Sequence, residues 1–212
     1  QPYNVSITGG TNTIAGTTTF NNSGTLTLGD GGDTIAFTGG VVATAPSAIN
    51  LNGTVSAAGT GVITLGDANT GVAVGGNSTV GGTSTGTISM GDATLADGVT
   101  LTVGTGANAQ IDLDAITGAD GGGAVSNLTI NTAGVVTVAE AVGTNIGTVT
   151  ITQSGGTTFA STVGAATVAI TDTADAAAVA FQGNLTVGTA MTVAAQPYNV
   201  SITGGTNTIA GT

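Results

Sequence analysis

QPYNVSITGGTNTIAGT, the stretch Gln1–Thr17, returns letter for letter as Gln196–Thr212. Seventeen identities in a row do not arise by chance, even in a chain with 38 Gly. The 212 residues are therefore expected to be a window on a tandem array. Residues 1–195 would form one unit, and residues 196–212 would start the next identical one. A long repeated unit points to a quasi-one-dimensional stack in which each piece buries its surface against its neighbours.

Inside the repeat, Val5-Ser6-Ile7 sets two apolar residues around a polar one, and Gly9-Gly10 follows. The same apolar-x-apolar texture recurs along the chain. It appears at Leu26-Thr27-Leu28, Ile49-Asn50-Leu51, Ile63-Thr64-Leu65, Ile88-Ser89-Met90 and Leu101-Thr102-Val103. It returns at Ile111-Asp112-Leu113, Leu128-Thr129-Ile130, Val149-Thr150-Ile151, Val168-Ala169-Ile170 and Leu185-Thr186-Val187. Period two marks a strand with one buried face, and outward Thr suits a pleated surface. Gly, Asn, Asp and Ser between the triplets supply the turns. Short strands, frequent turns and a tandem unit predict an all-β chain, a β-solenoid. Coils of roughly 20 residues would give about ten coils per unit, spanning about 45–50 Å. Val138–Val142 and Ala174–Ala180 are the only stretches that suggest a helical turn, and both also read as small-residue solenoid strands.

Composition excludes several functions. The chain has no Lys, Arg or His, 11 acidic residues and a formal charge of −11. Nucleic-acid binding through phosphate neutralisation has nothing to work with, nor does a basic patch on anionic lipid. Charged partners are expected to be cations. There is no Cys and no trypsin site. No apolar run is long enough to cross a bilayer, so no membrane-spanning helix is expected. The chain opens on Gln1 without a signal segment and is read as a mature or internal piece.

Alternating Thr/Val/Ile strands, Gly-Asp and Asn-Gly turns and the absence of Lys make the chain resemble the giant repetitive β-helical surface proteins of bacteria. Filamentous-haemagglutinin-like adhesins and autotransporter passengers are the examples. That resemblance implies a right-handed parallel β-helix, export across the envelope, an extracellular or cell-surface location, and a role in filaments or adhesion. The lack of basic residues and the long perfect repeat depart from the pattern. They favour an array-forming filament, sheath or surface layer, with the chain's own copies as head-to-tail partners. A glycan-binding or surface-binding adhesin is the alternative. Gln1, Tyr3, Thr17, Gln196, Tyr198 and Thr212 mark the expected assembly junction.

Local chemistry is sparse. Leu28–Ala36 (LGDGGDTIA) resembles the calcium nonapeptide of repeats-in-toxin proteins. Gly29, Gly31, Asp33 and Ile35 fall on the pattern, and Leu28 stands where the first Gly belongs. Leu65-Gly66-Asp67 and Met90-Gly91-Asp92 echo Leu28-Gly29-Asp30. Were these turns to stack, Asp30, Asp33, Asp67 and Asp92 would line one edge and attract a divalent cation, Ca²⁺; otherwise they are solvated Gly-rich turns. Asp112 and Asp114 share a strand face and suggest paired-carboxylate glycoside chemistry. The plainer reading is an acidic edge, because no aromatic, basic or His partner stands nearby. A His-based triad and a His/Cys zinc site are excluded, and no enzyme is expected. Thr-x-Thr recurs at Thr25/Thr27, Thr100/Thr102, Thr148/Thr150/Thr152 and Thr171/Thr173. An ordered ice-binding type of array needs that motif once per coil. The starts from Thr25 step by 75, 48 and 23, so these threonines read as ordinary β-formers.

Overall fold

A computed structural model describes residues 2–120 and 122–211. Among these residues there is no helix, and none therefore that could cross a membrane. All strand pairing is parallel, apart from one isolated bridge between Asp67 and Thr70. The chain is a β-solenoid of about nine coils, each with three walls. All eleven apolar-x-apolar triplets are strands, and their apolar residues point inward.

Wall one is a column of register partners: Val5, Leu26, Ile49, Val72, Ala93, Ile116, Val142, Val163 and Leu185. Wall three runs Val41, Ile63, Ile88, Ile111, Val136, Thr157, Val179, Val200. Wall two carries Ile35, Val55, Val80, Val103, Ile130, Ile151, Ile170 and Val193 inward. Walls one and two merge into one sheet because strands such as Leu26–Phe37, Ile49–Ala57 and Val163–Ile170 run across the corner between them. Wall three is a separate nine-stranded sheet. The coils are longer than expected and unequal. Val5 pairs with Leu26 across a short coil, and Ile116 pairs with Val142 across a long one. The corners absorb the difference, so the unit holds about nine coils instead of ten.

The core is a set of apolar columns parallel to the axis. Phe159 and Phe181, partners in successive coils, stack with centroids 4.9 Å apart and planes 3° apart. Buried hydroxyls close the corners, a device the sequence did not reveal. Thr70 Oγ1 donates to the carbonyl of Pro46 at 2.7 Å or Thr44 at 2.9 Å, and Ser84 Oγ donates to Gly61 O at 2.6 Å. Each satisfies carbonyls of the preceding coil that a turn leaves unpaired. Glycine is needed where corners stack backbone on backbone. A Cβ on Gly61 would lie 2.7 Å from the Gly39 carbonyl carbon, and one on Gly86 would lie 2.6 Å from Gly61 O. Neither Val138–Val142 nor Ala174–Ala180 is helical. The first forms a strand end and corner, the second a turn leading into the strand Ala178–Phe181.

One fully buried position breaks the wall-three column. Thr157 is buried between Val136 and Val179, and its Oγ1 has no hydrogen-bond partner. Burying an unpaired hydroxyl costs about 1–3 kcal/mol. Thr157→Val is expected to raise stability by about that amount in chemical denaturation, and Val136→Thr, one coil earlier, to lower it similarly. A neutral Thr157→Val would contradict the column packing.

Candidate assembly junction and outer faces

The acidic turns do not form one edge. Gly29–Gly32 bulge out of the strand Leu26–Phe37 at the corner between walls one and two. Gly29, Gly31 and Gly32 take positive φ there. Asp33 folds back into the bulge, where its Oδ2 accepts the backbone N–H of Asp30 and of Gly9, both at 3.0 Å. The residue the calcium-like pattern singled out thus ties its own turn to the preceding coil. Asp67 and Asp92 lie at the other end of wall one, at the corner after wall three. Gly66, Gly91 and Asp114 follow the register partners Leu65, Met90 and Leu113 in successive coils. Of the turns the repeated letters joined, those of Asp67 and Asp92 therefore share a corner, Asp114 stands beside them level with Gly91, and Asp30 and Asp33 lie at a different corner. Asp67 Oδ1 accepts the N–H groups of Asn69 and Thr70, and Asp92 Oδ1 accepts that of Ala115. Asp112 accepts from Gln110 Nε2 at 2.8 Å. Asp67, Asp112 and Asp114 border a shallow hollow of about 270 Å³. Among the described residues no group of three or more carboxylates converges closely enough to hold a metal ion.

Wall two presents a different surface. Its outward register partners are Thr11, Thr34, Thr54, Thr79, Thr102, Thr129, Thr150, Ala169 and Thr192. This is a file of threonines interrupted once. The Thr-x-Thr spacing is irregular in sequence because corner lengths vary; along the axis the residues follow coil by coil. Thr100/Thr102 and Thr148/Thr150 belong to this wall, whereas Thr27 belongs to wall one. Outward positions on walls one and three are mixed, with Ala73, Gly143, Val42 and Asp112 among them.

The junction is the most informative site. Gln1 and Thr212 lie outside the described residues. In the first copy, residues 2–17 are seen bonding forward to the coil above. Val5 N–H donates to Thr25 O at 2.9 Å, and Gly10 O and Ile14 O accept from Thr34 and Thr38. Asn4 Oδ1 accepts Thr25 N–H at 2.9 Å, and Thr17 Oγ1 donates to Gly39 O at 3.0 Å. In the second copy the same residues bond backward. Asn199, Thr203 and Ala210 N–H donate to Ala177, Phe181 and Val187, and Pro197 O accepts from Ala176. Asn207 Oδ1 accepts Leu185 N–H at 2.9 Å. Gln196 closes a local turn onto Ala194 O. No atom of the repeat is engaged in both directions in these two sets of bonds.

Tyr3 and Tyr198 show the same complementarity. Tyr198 is half-buried, and its hydroxyl reaches Ile170 O at 3.1 Å and Ala194 O at 3.3 Å, while Tyr3 is 55% exposed. The strand pieces and the Asn turn recur: Asn12 Nδ2 donates to Gly9 O at 2.8 Å and Asn207 Nδ2 donates to Gly204 O at 2.7 Å. The glycine corners differ, because Gly9 and Gly10 take positive φ and Gly204 and Gly205 do not. Nor does the copy return to its wall. Val5–Ile7 lies on wall one, and Asn199–Ile202 on wall three.

Titration should reveal the acidic turns. Burial, and then the charge of Asp92, push Asp114 above the ordinary carboxylate value of 3.8. The hydrogen bond to Asp33 and its charge push Asp30 up as well. The N–H groups of Asp30 and Gly9 hold Asp33 below that value. Raised groups favour the protonated fold, so stability rises as pH falls through their folded-state pKa. Asp33 contributes stability that is present above its unfolded pKa and lost as pH falls through the depressed one. Melting temperature is expected to rise as pH falls towards the ordinary carboxylate value of 3.8 and to fall again at more acid pH. Asp114→Asn should flatten the rise, and Asp33→Asn should lower the pH 7 value and shrink the acid loss. A profile unchanged by either variant would contradict these assignments.

No protein-family model, no curated protein and no solved structure matches this chain.

Proposed function

We propose that the chain is a segment of an extracellular bacterial filament, sheath or surface layer whose units stack head to tail along the solenoid axis. The single observation behind this reading is the repeat seen from both sides. Its forward bonds and backward bonds use different atoms, so one copy of the repeated segment can be held between two sets of coils at once. Tyr198 shows what Tyr3 would gain with coils beneath it: partners for its hydroxyl. The apolar residues of the end coils agree. Val193 and Ile209 pair in register with the buried Ile170 and Val187, yet they are 49% and 43% exposed because no coil covers them. Parallel stacking satisfies strand edges everywhere except at the ends, and a head-to-tail contact propagates as an open fibre.

Such a fibre is mechanical in action and catalyses nothing. With 11 carboxylates and no basic side chain, each unit repels the next, and dissolved cations, Ca²⁺ among them, would screen that repulsion. The adhesin reading draws on the threonine file of wall two, a regular hydroxyl surface suited to contact with another ordered surface.

Purified chain is expected to form rods whose lengths are multiples of about 40–45 Å, some nine coils at the strand spacing, in negative-stain images and by sedimentation. Val193→Asp with Ile209→Asp should abolish the rods, whereas Val125→Asp, at an exposed lateral corner, should leave them intact. Rods that persist after the end substitutions, or a chain that stays monomeric at high concentration, would overturn the head-to-tail reading.

A further inference from the structure

The repeating unit does not contain a whole number of coils. Residues 1–195 supply nine strand segments to wall one, nine to wall two and eight to wall three, 26 in all. That is one segment short of nine full three-walled coils, so the unit makes eight and two-thirds turns. The second copy shows the result. The segment that opened on wall one stacks on wall three, with Ser201 on Ala180 and Val200 on Val179. Its next strand, Thr208–Ile209, is equivalent to Thr13–Ile14 of wall two but lies on wall one over Thr186 and Val187.

From this phase, and resting on the head-to-tail reading, we infer that the C-terminal end of the solenoid carries the next repeat of the 195-residue unit one wall out of step, turned by a third of a revolution. The end is built to accept it. Once Thr208–Ile209 has occupied wall one, the equivalent of Thr18–Thr19 falls on wall two, where the strand Leu185–Val193 offers its uncovered Ala190–Val193 edge. The equivalent of Leu26–Leu28 then falls on wall three, over Asn199–Ile202, as Leu26–Leu28 itself lies over Val5–Ile7. The shift is tolerated because all three walls use the same period-two strand with its apolar residues inward. The difference is absorbed at the corner, where Gly9-Gly10 and Gly204-Gly205 take different φ. Only glycine moves between those regions at little cost.

The wall sequence closes after three units, an axial period of about 125 Å at the strand spacing. Over that period the threonine file of wall two faces each of three directions in turn. Lateral contacts made by that file are therefore spread around the fibre, as a sheath or three-dimensional bundle needs, and are not confined to one side as in a flat ribbon.

Cysteine pairs test the phase inside one chain, which has no native Cys. In-register neighbours on adjacent parallel strands lie about 4.8 Å apart, within the Cα range of a disulfide. Thr158→Cys with Ala180→Cys, partners on wall three, is the positive control. Ala180→Cys with Ser201→Cys is expected to form the bond as fully as the control. Thr186→Cys with Ser201→Cys, which an in-phase repeat would bring together, is expected to stay reduced. Bond formation by the Thr186/Ser201 pair, or failure of the Ala180/Ser201 pair beside a working control, overturns the inference; failure of the control overturns the solenoid beneath it. The readout is intramolecular, so it is independent of whether chains form rods.

Discussion

Ile88 lies between Ile63 and Ile111 on wall three, and Val103 lies between Val80 and Ile130 on wall two. Such axial contact of like with like, fixed by parallel in-register hydrogen bonding, is what the rest of the molecule depends on. A parallel ladder gives each residue the same neighbour direction in every coil, so inward positions form columns and outward positions form files. A slip of one residue would turn a whole strand inside out. The apolar columns prevent that slip, and the corners are left free to vary. This is why Ile116 can meet Val142 across a long coil while Val5 meets Leu26 across a short one, both in the same column.

The same constraint explains the low charge density. Files of identical spacing bring equivalent side chains within about 5 Å along the axis, and a file of like charges would repel at every coil. Threonine avoids this on wall two. The acidic residues occur mainly at corners, where turn N–H groups partner them, as Asp33 and Asp67 show. The exception, Asp112 on wall three, has Ser89 and Thr137 as neighbours, and neither is charged.

The fold was legible because period-two patterning survives any corner length. Each triplet announces its own strand, and Thr or Ser at the centre marks the outward side. Coil number was less legible, since the step from one register partner to the next includes corner loops that carry no pattern. The same variability hid the threonine file and separated Asp30 from Asp67 and Asp92, which the repeated Leu/Met-Gly-Asp letters had joined. A Gly-Asp turn reports a local conformation, not which corner it occupies. Buried hydroxyls such as Thr70 and Ser84 look in sequence like any turn residue, and their role depends on carbonyls a full coil away. The repeat was obvious as letters, but its wall was not. That required knowing how many strands share three walls.

X-ray diffraction from aligned fibres of this chain tests the central claim most directly. A solenoid axis along the fibre places the strand spacing on the meridian, so the account predicts a sharp meridional reflection at about 4.8 Å. A reflection at about 4.8 Å on the equator, or none in well-oriented fibres, would contradict axial stacking of the coils.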